Sequence, residues 1–381
     1  MMRALKKLFG RAQTGKEEFE ILLGGNADGL NVLVLTEYIN ATYYISFDIP
    51  FRLMHADGQI NLAVASQNFV ANCGEGCWER WSRDYKPDVV IMTRYGHKYG
   101  INILKYFKSS NIPVIYHIDD DLINLPDSLG SEIRKRQGAK GVVETREYLL
   151  GNCDLIYAST SYLAGLMQKR FRGQQVFQGI YAPYMRNKIS IKNHVIRDVD
   201  VIGYMGSKGH QHDLDLVVPA LERLLAERET LEFEVFGTIK MPEKLERFGH
   251  RVRGYSVQKS YAEFLSNLAS LGWSIGLAPL VDLEFNRCKA PTKFIEYTAC
   301  GIPVVASDIS VYSEVVPAGG AELVKDDWYG AITKYLDDRE CRNKALCLSQ
   351  EYCEETFAPP VLVKQLSDVI YMITQNRIAH S

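Results

Sequence analysis

The chain has 381 residues, of which 46% are hydrophobic and 24% are charged, and its formal net charge is −2. This composition is typical of a globular protein of two or three domains, and the balanced charge argues against a general nucleic-acid binder. No apolar run reaches the length of a membrane span, and the N-terminus lacks the features of a secretory signal, so we expect a cytoplasmic protein.

The chain begins with the basic segment MMRALKKLFGR, in which Leu5, Leu8 and Phe9 are interleaved with the charges. Such a segment either lies on an anionic membrane surface as a short amphipathic helix or is a frayed charged terminus. Residues 1–28 are therefore predicted to be an N-terminal basic extension. Peripheral contact with the inner face of a membrane remains an alternative for it.

Strand-like and helical segments alternate through the first half of the chain. The strand-like runs are NVLVLT (31–36), INLAVA (60–65), DVVIMT (88–93), PVIYHI (113–118) and DLIYAS (154–159). Alternation of this kind predicts a parallel sheet with helices on both faces, in a domain spanning residues 29–190. No glycine-rich turn follows the first strand in LVLTEYINATYYIS, which argues against a dinucleotide-dependent dehydrogenase.

A polar stretch at 186–198 reads as a linker, and a second alternating series follows it in residues 191–355. A long amphipathic helix is predicted within residues 356–381, packing back on the first domain. The fold class is therefore α/β, with two Rossmann-like, doubly wound parallel-sheet domains. We expect them to face each other across a cleft, where ligand sites are common.

One unit of the second series has an unusually clear order of elements. The strand WSIGLAPL (273–280) leads into a charged loop, Pro291 then opens a helix, Gly301 ends it, and VVAS (304–307) forms the next strand. Ligands of such sheets bind outside the carboxyl ends of the strands. The loop at 281–290 is therefore predicted to lie at a ligand site.

The eight cysteines offer neither two close pairs nor a pair combined with histidines, as zinc sites do. We expect no metal site and free thiols throughout, including Cys73 and Cys77 in the segment NCGEGCW.

The segment GSKGHQHD (206–213) is a candidate anion site. Gly206 and Gly209 allow the backbone to approach a phosphate, Ser207 can donate a hydrogen bond and Lys208 adds charge. Two further polar residues belong to this segment. His210 either binds the ligand or orders the loop, and Asp213 is expected to cap the following helix.

Several of these segments resemble one protein family. IGYMGSKGHQHDLDLVVPALERLL, FEVFGT and KFIEYTACGIPVVASD are similar to the donor half of the GT-B glycosyltransferases, and PDVVIMTRYG and NIPVIYHIDDDLINLP resemble the other half. The particular resemblance is to the retaining group 1 family of bacterial polysaccharide and lipopolysaccharide assembly.

The resemblance implies transfer of a sugar from a nucleotide sugar to a saccharide or lipid-linked acceptor, without a cofactor or divalent metal. A catalytically silent sugar-nucleotide-binding subunit and a GT-B epimerase or hydrolase stay open as alternatives.

By resemblance, Glu296 binds the ribose of the donor; the alternative is a surface glutamate paired with Lys293. Arg287, Lys289 and Lys293 are expected to neutralise the diphosphate, although a solvated basic loop is the simpler interpretation of Arg287. Related enzymes often carry an earlier glutamate, separated from this one by seven residues, where this chain has Cys288, so the contact to the donor sugar is left open.

The segment HIDDD (117–121) follows a predicted strand of the first domain. One of Asp119, Asp120 and Asp121, or else His117, is a candidate base for the acceptor hydroxyl. The alternative is a capping cluster before LINLP. The triplet also satisfies the metal-binding Asp-x-Asp pattern of the other major glycosyltransferase fold, but this motif is short and the donor signals favour a metal-independent site.

Overall fold

The computed structural model describes residues 19, 21–181, 184, 197–256 and 261–378. The chain divides into two compact units, the first comprising residues 1–125, 131–181 and 359–381 and the second residues 126–130 and 182–358. The segment MMRALKKLFGR and most of the linker predicted at 186–198 lie outside the described residues, so the membrane interpretation of the N-terminus stays a prediction.

The first unit is built on a seven-stranded sheet in the order β1-β3-β2-β4-β5-β6-β7. Its strands are β1 (Ile21–Leu23), β2 (Leu30–Thr36), β3 (Ile60–Ser66), β4 (Val89–Thr93), β5 (Val114–Ile118), β6 (Leu155–Ala158) and β7 (Val176–Gln178). Only β1 is antiparallel to its neighbour. Because β2 lies between β3 and β4, the strand order reverses between β2 and β4, the type of position where ligands of doubly wound sheets bind.

Helices cover both faces of this sheet. They are α1 (Ala41–Tyr43), which continues through a π-helical turn (Tyr44–Asp48) into α2 (Ile49–Ala56), then α3 (Gln67–Cys73), α4 (Gly76–Asp84), α5 (Gly100–Ser109), α6 (Ser131–Gln137), α7 (Lys140–Asn152), α8 (Ser161–Arg170) and, at the C-terminal end of the chain, α18 (Pro359–Ile378). All residues of β3, β4 and β5 are buried, as expected of parallel strands covered on both faces.

The C-terminal helix α18 belongs to the first unit. Leu366, Val369, Ile370 and Ile373, at helical spacing, pack into the same apolar core as strands β2 to β6. The apolar stripe on this helix therefore has a buried partner, even though the helix is separated from those strands by the whole second unit in sequence.

The second unit has a six-stranded, fully parallel sheet in the order β10-β9-β8-β11-β12-β13. Its strands are β8 (Val201–Gly206), β9 (Glu232–Gly237), β10 (Val252–Tyr255), β11 (Ile275–Ala278), β12 (Val304–Ser307) and β13 (Glu322–Val324). This is the 3-2-1-4-5-6 order of the doubly wound fold, with its switch point between β8 and β11. The predicted pair of parallel α/β domains is confirmed.

Nine α-helices are described around this second sheet. They are α9 (Gln211–Asp215), α10 (Val218–Glu227), α11 (Glu243–Glu246), α12 (Tyr261–Ser270), α13 (Glu284–Arg287), α14 (Thr292–Ala299), α15 (Ser310–Ser313), α16 (Trp328–Asp337) and α17 (Arg339–Thr356), with a 3-10 turn (Lys208–His210) preceding α9. Among the residues described, no helix of either unit combines the length and the apolar character needed to cross a membrane.

The structure corrects one expectation about the cysteines. A disulfide joins Cys73, the last residue of α3, to Cys77 in α4. Gly74, at φ 84°, turns the chain between the two helices, and the two cysteine Cα atoms lie 6.1 Å apart. The expectation of free thiols was therefore wrong for this pair, because the turn brings together two side chains that the sequence spacing alone did not pair.

Candidate functional site

Two loops meet at the switch point of the second sheet, one following β8 and the other following β11. Asp213 holds them together: its Oδ1 accepts a hydrogen bond from the Val281 N–H at 2.9 Å, and its Oδ2 lies 2.8 Å from Nδ1 of His210. Asn286 adds a bond from its amide nitrogen to the Val281 carbonyl at 2.9 Å. The loop carrying His210 and the loop carrying Asn286 are thus fixed to the same carboxylate.

Asp213 does not cap the following helix, contrary to the sequence-based expectation. It lies inside α9 and is buried, and its oxygens are occupied by His210 and the second loop. Burial opposes ionisation of this carboxyl, but the hydrogen bonds from His210 and Val281 outweigh it and hold the pKa of Asp213 below its ordinary value.

Gly206 and Gly237 end the neighbouring strands β8 and β9, where they face each other in the parallel register. The Gly206 carbonyl accepts hydrogen bonds from the Thr238 and Ile239 N–H groups, each at 3.1 Å. Gly237 has φ 128°, and a Cβ atom there would collide with the Gly206 carbonyl. Glycine is required at this point because the two backbones approach closely just before the loop of the site begins.

Gly237→Ala is expected to lower the free energy of unfolding by at least about 1 kcal/mol, since alanine is strained at positive φ and has no room here. Gly165→Ala, in α8, is the matched control, because a Cβ there meets no atom within 4 Å. Chemical denaturation of both variants measures the difference. Equal stability of the two alanine variants would show that the Gly206–Gly237 contact relaxes freely.

Positive charge gathers beside the two loops. Lys293 is half-buried in the first turn of α14, and its Nζ lies 5.6 Å from the centre of the Tyr204 ring. Burial lowers the pKa of Lys293 to about 8, with Lys289 acting in the same direction and Asp213 opposing it. No carboxylate of the described chain lies within salt-bridge distance of the Lys293 ammonium.

His210 lies next to these lysines. The positive charge of Lys293, together with burial, lowers the pKa of His210 to about 4, so the imidazole is neutral at pH 7. Lys289 contributes to the same shift, and its Nζ lies 4.5 Å from the centre of the Phe285 ring. The structure therefore brings together three of the predicted donor-site residues, one from the loop after β8 and two from the segment after β11.

Glu296 is buried in α14, one turn beyond Lys293, so it is not a surface glutamate. Its Oε1 accepts a hydrogen bond of 2.7 Å from the hydroxyl of Tyr261. Burial raises the pKa of Glu296 to about 7, against the opposing effect of that hydrogen bond and of Lys293. No described group bonds its second oxygen, which leaves an acceptor near Lys293.

Three predicted donor residues, Arg287, Ser207 and Lys208, have exposed side chains. Arg287 forms a two-point salt bridge with Asp282, at 2.6 and 2.8 Å, on the exposed side of the loop. Ser207 and Lys208 are exposed, and the Lys208 backbone N–H donates to the Thr238 hydroxyl at 3.2 Å. Cys288 is fully buried, and its thiol donates to the Glu284 carbonyl at 3.4 Å, so the sulfur faces the interior.

A small pocket lies between the two loops. Its lining includes Gly209, His210 and Asp213 from the first loop and Asn286 and Lys289 from the second. In this pocket, neutral, anionic and cationic side chains face one space. Such a lining suits the hydroxyl groups and negative charge of a polar ligand.

In the first unit, the acidic triplet lies at the carboxyl edge of the sheet in an ionic network. Nη1 of Arg94 lies 2.6 Å from Asp119 and 3.2 Å from Asp120, and Nε lies 3.3 Å from Glu37. Asp119 also accepts a 3.0 Å hydrogen bond from Thr42. Burial raises the pKa of Asp119, with Arg94 opposing the shift.

Glu37 and Arg94 were missed from the sequence. They follow β2 and β4, the two strands at the switch point of the first sheet. Arg94 has φ 52°, an unusual conformation for a residue other than glycine, and such backbone strain clusters at functional sites. A charged residue directly after each of the strands β2, β4 and β5 was the signal available in the sequence.

The other two candidates of this segment, Asp121 and His117, already contact other protein side chains. Asp121 is paired with Arg170 at 2.9 and 3.2 Å and caps the turn at Ile123 and Asn124. His117 is buried in β5, with Nδ1 2.9 Å from the Thr93 hydroxyl, and burial lowers its pKa to about 3. Of the four acceptor-side candidates, Asp120 has the most exposed carboxylate, at 21%.

Part of the second unit is similar in sequence to a known protein family. Residues 199–338 match the family model described as Glycosyl transferases group 1. No protein of curated function matches the sequence significantly.

Solved structures extend the comparison to the whole chain. Anabaena HepE in complex with UDP-glucose is similar at a TM-score of 0.63 and 12% identity, over 90% of this chain and all of that one. A Rickettsia africae glycosyltransferase has a TM-score of 0.63 at 11% identity, over 92% and 100% of the two chains. A Listeria monocytogenes protein assigned as a UDP-N-acetylglucosamine 2-epimerase has a TM-score of 0.53 at 11% identity, over 90% and 96%. The two units have the GT-B fold.

Proposed function

We propose that this protein is a glycosyltransferase that moves a sugar from a nucleoside-diphosphate donor to a hydroxyl-bearing acceptor. The observation that carries the proposal lies inside the matched domain. At the switch point of the second sheet, Lys293 lies near the buried carboxylate of Glu296, and Lys289 and His210 line the same pocket.

Each group of this cluster suits one part of a nucleotide sugar. An ionised carboxylate accepts hydrogen bonds from hydroxyl groups, so the unbonded oxygen of Glu296 is assigned to the ribose. The ammonium groups of Lys289 and Lys293 are assigned to the diphosphate. They would stabilise the negative charge that builds on the leaving phosphate oxygen as the glycosidic bond to it breaks.

The acceptor hydroxyl is assigned to the acidic network of the first unit. In the transfer, the acceptor oxygen forms a bond to the anomeric carbon, the bond from that carbon to the phosphate oxygen breaks, and the hydroxyl proton leaves. Asp120 is our candidate for receiving this proton, because its carboxylate is the most exposed of the three, although it also pairs with Arg94. Retention of the anomeric configuration is part of the proposal and rests on the family resemblance.

The biological setting is also proposed from that resemblance. We assign the acceptor to the saccharide or lipid-linked class and the pathway to surface polysaccharide assembly. The enzyme would work in the cytoplasm, with the basic N-terminal segment as a possible contact to the inner membrane face.

The proposal is tested by measuring nucleoside-diphosphate release from UDP-glucose, UDP-N-acetylglucosamine, GDP-mannose and dTDP-rhamnose. Each donor is incubated with the full chain, with and without a set of mono- and oligosaccharide acceptors. We expect one donor to bind and to be turned over faster when an acceptor is present. The proposal fails if calorimetry detects no binding of any of the four donors.

An epimerase is the second candidate, because the Listeria protein shares the fold. It would convert the sugar of the donor with no acceptor present, which NMR of the nucleotide sugar detects directly. A silent binding subunit is the third, because Cys288 stands where related enzymes carry a glutamate. Donor binding without release or conversion under every acceptor condition would favour it.

Turnover is expected to persist when divalent cations are removed by excess chelator, because the two lysines supply the charge that a metal would otherwise supply. No group of three or more His, Cys, Asp or Glu side chains in the described ranges is arranged to hold a metal ion. The measurement compares rates before and after addition of EDTA, with added Mg²⁺ as the control. Loss of activity that Mg²⁺ restores would revive a metal-binding role for Asp119, Asp120 and Asp121.

A further inference from the structure

The His210 ring has one nitrogen bonded and the other available. Nδ1 lies 2.8 Å from Asp213 Oδ2, the side chain is 22% exposed, and the residue lines the pocket beside Asn286 and Lys289. In the part of the chain that the structure describes, no protein group bonds Nε2. Nε2 is therefore the ring nitrogen to which a ligand in this pocket can bond.

The surroundings of the ring determine what Nε2 can do. The Asp213 carboxylate accepts hydrogen bonds from Val281 and Asn286 as well, so it stays ionised and accepts the proton carried by Nδ1. The other charged groups that act on the ring are Lys293 and Lys289, which oppose a second proton on it. In a neutral imidazole with a proton on Nδ1, Nε2 carries a lone pair and accepts hydrogen bonds.

The position of Lys293 indicates the order in which the polar groups follow one another along the site. Lys293 acts electrostatically on Glu296, which lies three residues later in the same helix, about 4.5 Å farther along the helix axis. It also acts on His210 and Asp213. Lys293 is therefore near both the carboxylate and the imidazole, whereas these two groups do not act appreciably on each other. A nucleotide sugar has the same order, with the diphosphate between the ribose and the transferred sugar.

The acceptor character of Nε2 selects its ligand. Both phosphates of a nucleotide sugar are ionised esters at neutral pH and have no proton to donate, whereas the sugar has several hydroxyl groups. Cys288, at the position where related enzymes carry a glutamate, is buried with its thiol on the Glu284 carbonyl and does not serve. We infer that Nε2 of His210, oriented by Asp213, accepts a hydrogen bond from a hydroxyl group of the donor sugar. This inference rests on the proposed function.

The test measures what the sugar adds to binding. Calorimetry gives the Kd of the nucleotide sugar and of its nucleoside diphosphate, using whichever of UDP-glucose, UDP-N-acetylglucosamine, GDP-mannose or dTDP-rhamnose the wild-type chain binds most tightly. In His210→Phe we expect the Kd of the nucleotide sugar to rise by about three- to tenfold relative to the Kd of the nucleoside diphosphate. This is the size of the effect of one lost hydrogen bond. The Kd of the nucleoside diphosphate itself should change by less than about twofold, because no donor to the phosphates is removed.

Two further variants make the result specific. His210→Gln keeps a side-chain acceptor and should restore part of the sugar contribution, whereas His250→Phe, on an exposed turn, should match the wild type. Equal weakening of both ligands in His210→Phe would assign the residue to the diphosphate or to loop order and overturn the inference, as would an unchanged ratio. Absence of any nucleotide-sugar binding by the wild type would instead overturn the proposed function.

Discussion

Replacing Lys293 by methionine is expected to weaken the binding of a nucleoside diphosphate by roughly 10- to 100-fold, the range for losing a hydrogen bond to a charged group. Methionine keeps the apolar stem over the Tyr204 ring and removes only the ammonium. The variant should fold at least as well as the wild type, because burial of the charged amine lowers its pKa and so opposes folding at neutral pH.

The same lysine predicts how binding depends on pH. Its pKa of about 8 in the free protein means that it is charged at pH 7 and mostly neutral at pH 9. An anion binds only the charged form well, so wild-type affinity should fall about tenfold over this interval. Lys293→Met should show no such fall.

Arg287→Gln is the matched control for this prediction. Arg287 is a basic residue of the neighbouring loop, but its guanidinium is already bound by Asp282 in two contacts. Calorimetric titration with UDP or GDP at pH 7 and pH 9 should show a change of less than about threefold for this variant, as for an exposed ion pair. If Arg287→Gln weakened binding as much as Lys293→Met, the diphosphate would have to lie along the exposed side of the loop.

Glu296→Gln is expected to have opposite effects on binding and on stability. The glutamine keeps an oxygen for the Tyr261 hydroxyl but offers an amide nitrogen in place of the second oxygen, which cannot accept from a ribose hydroxyl. We expect affinity for a nucleoside diphosphate to fall by roughly 10- to 100-fold, from the loss of a charge-assisted hydrogen bond. The affinity of the same variant for the corresponding deoxyribonucleotide should fall much less.

The stability effect follows from the raised pKa of Glu296. The pKa is about 7 in the folded protein against an ordinary value of 4.5, so the unfolded chain releases this proton first as pH rises. Wild-type stability should therefore fall between about pH 4.5 and 7, by roughly 3 kcal/mol for this group, and stay level above it. Glutamine has no proton to lose, so the variant should be more stable than the wild type at pH 8 and similar near pH 4.5.

Thermal or chemical unfolding at pH 5 and pH 8 measures this difference, alongside calorimetry with the ribo- and deoxyribonucleotides. Glu263→Gln, a carboxylate of the neighbouring helix α12, is the control for a general change of charge. Unchanged nucleotide affinity in Glu296→Gln would remove the ribose assignment even if the stability gain were observed.

The longer elements could be predicted from the sequence because each has its own pattern. Strands β2 to β6 are continuous apolar runs, and α14 is bounded by Pro291 and Gly301, the latter at φ 75°. The strands that no pattern marked, β1, β7, β10 and β13, have only three or four residues and are only partly buried. Such edge strands form because a neighbouring strand offers its hydrogen-bonding edge, which local sequence does not encode.

The sequence by itself determined that two parallel α/β units would form and that polar residues such as His210, Lys293 and Glu296 would follow strands whose carboxyl ends bind ligands. Tertiary structure alone decided which of them converge. It paired Arg287 with Asp282 in a salt bridge and buried His117 in the core. It also made Asp213 the link between two loops, where the sequence had predicted a helix cap. The physical reason is that strand spacing and helix periodicity are local, whereas the charge, burial and pKa of a side chain depend on which distant strands lie beside it.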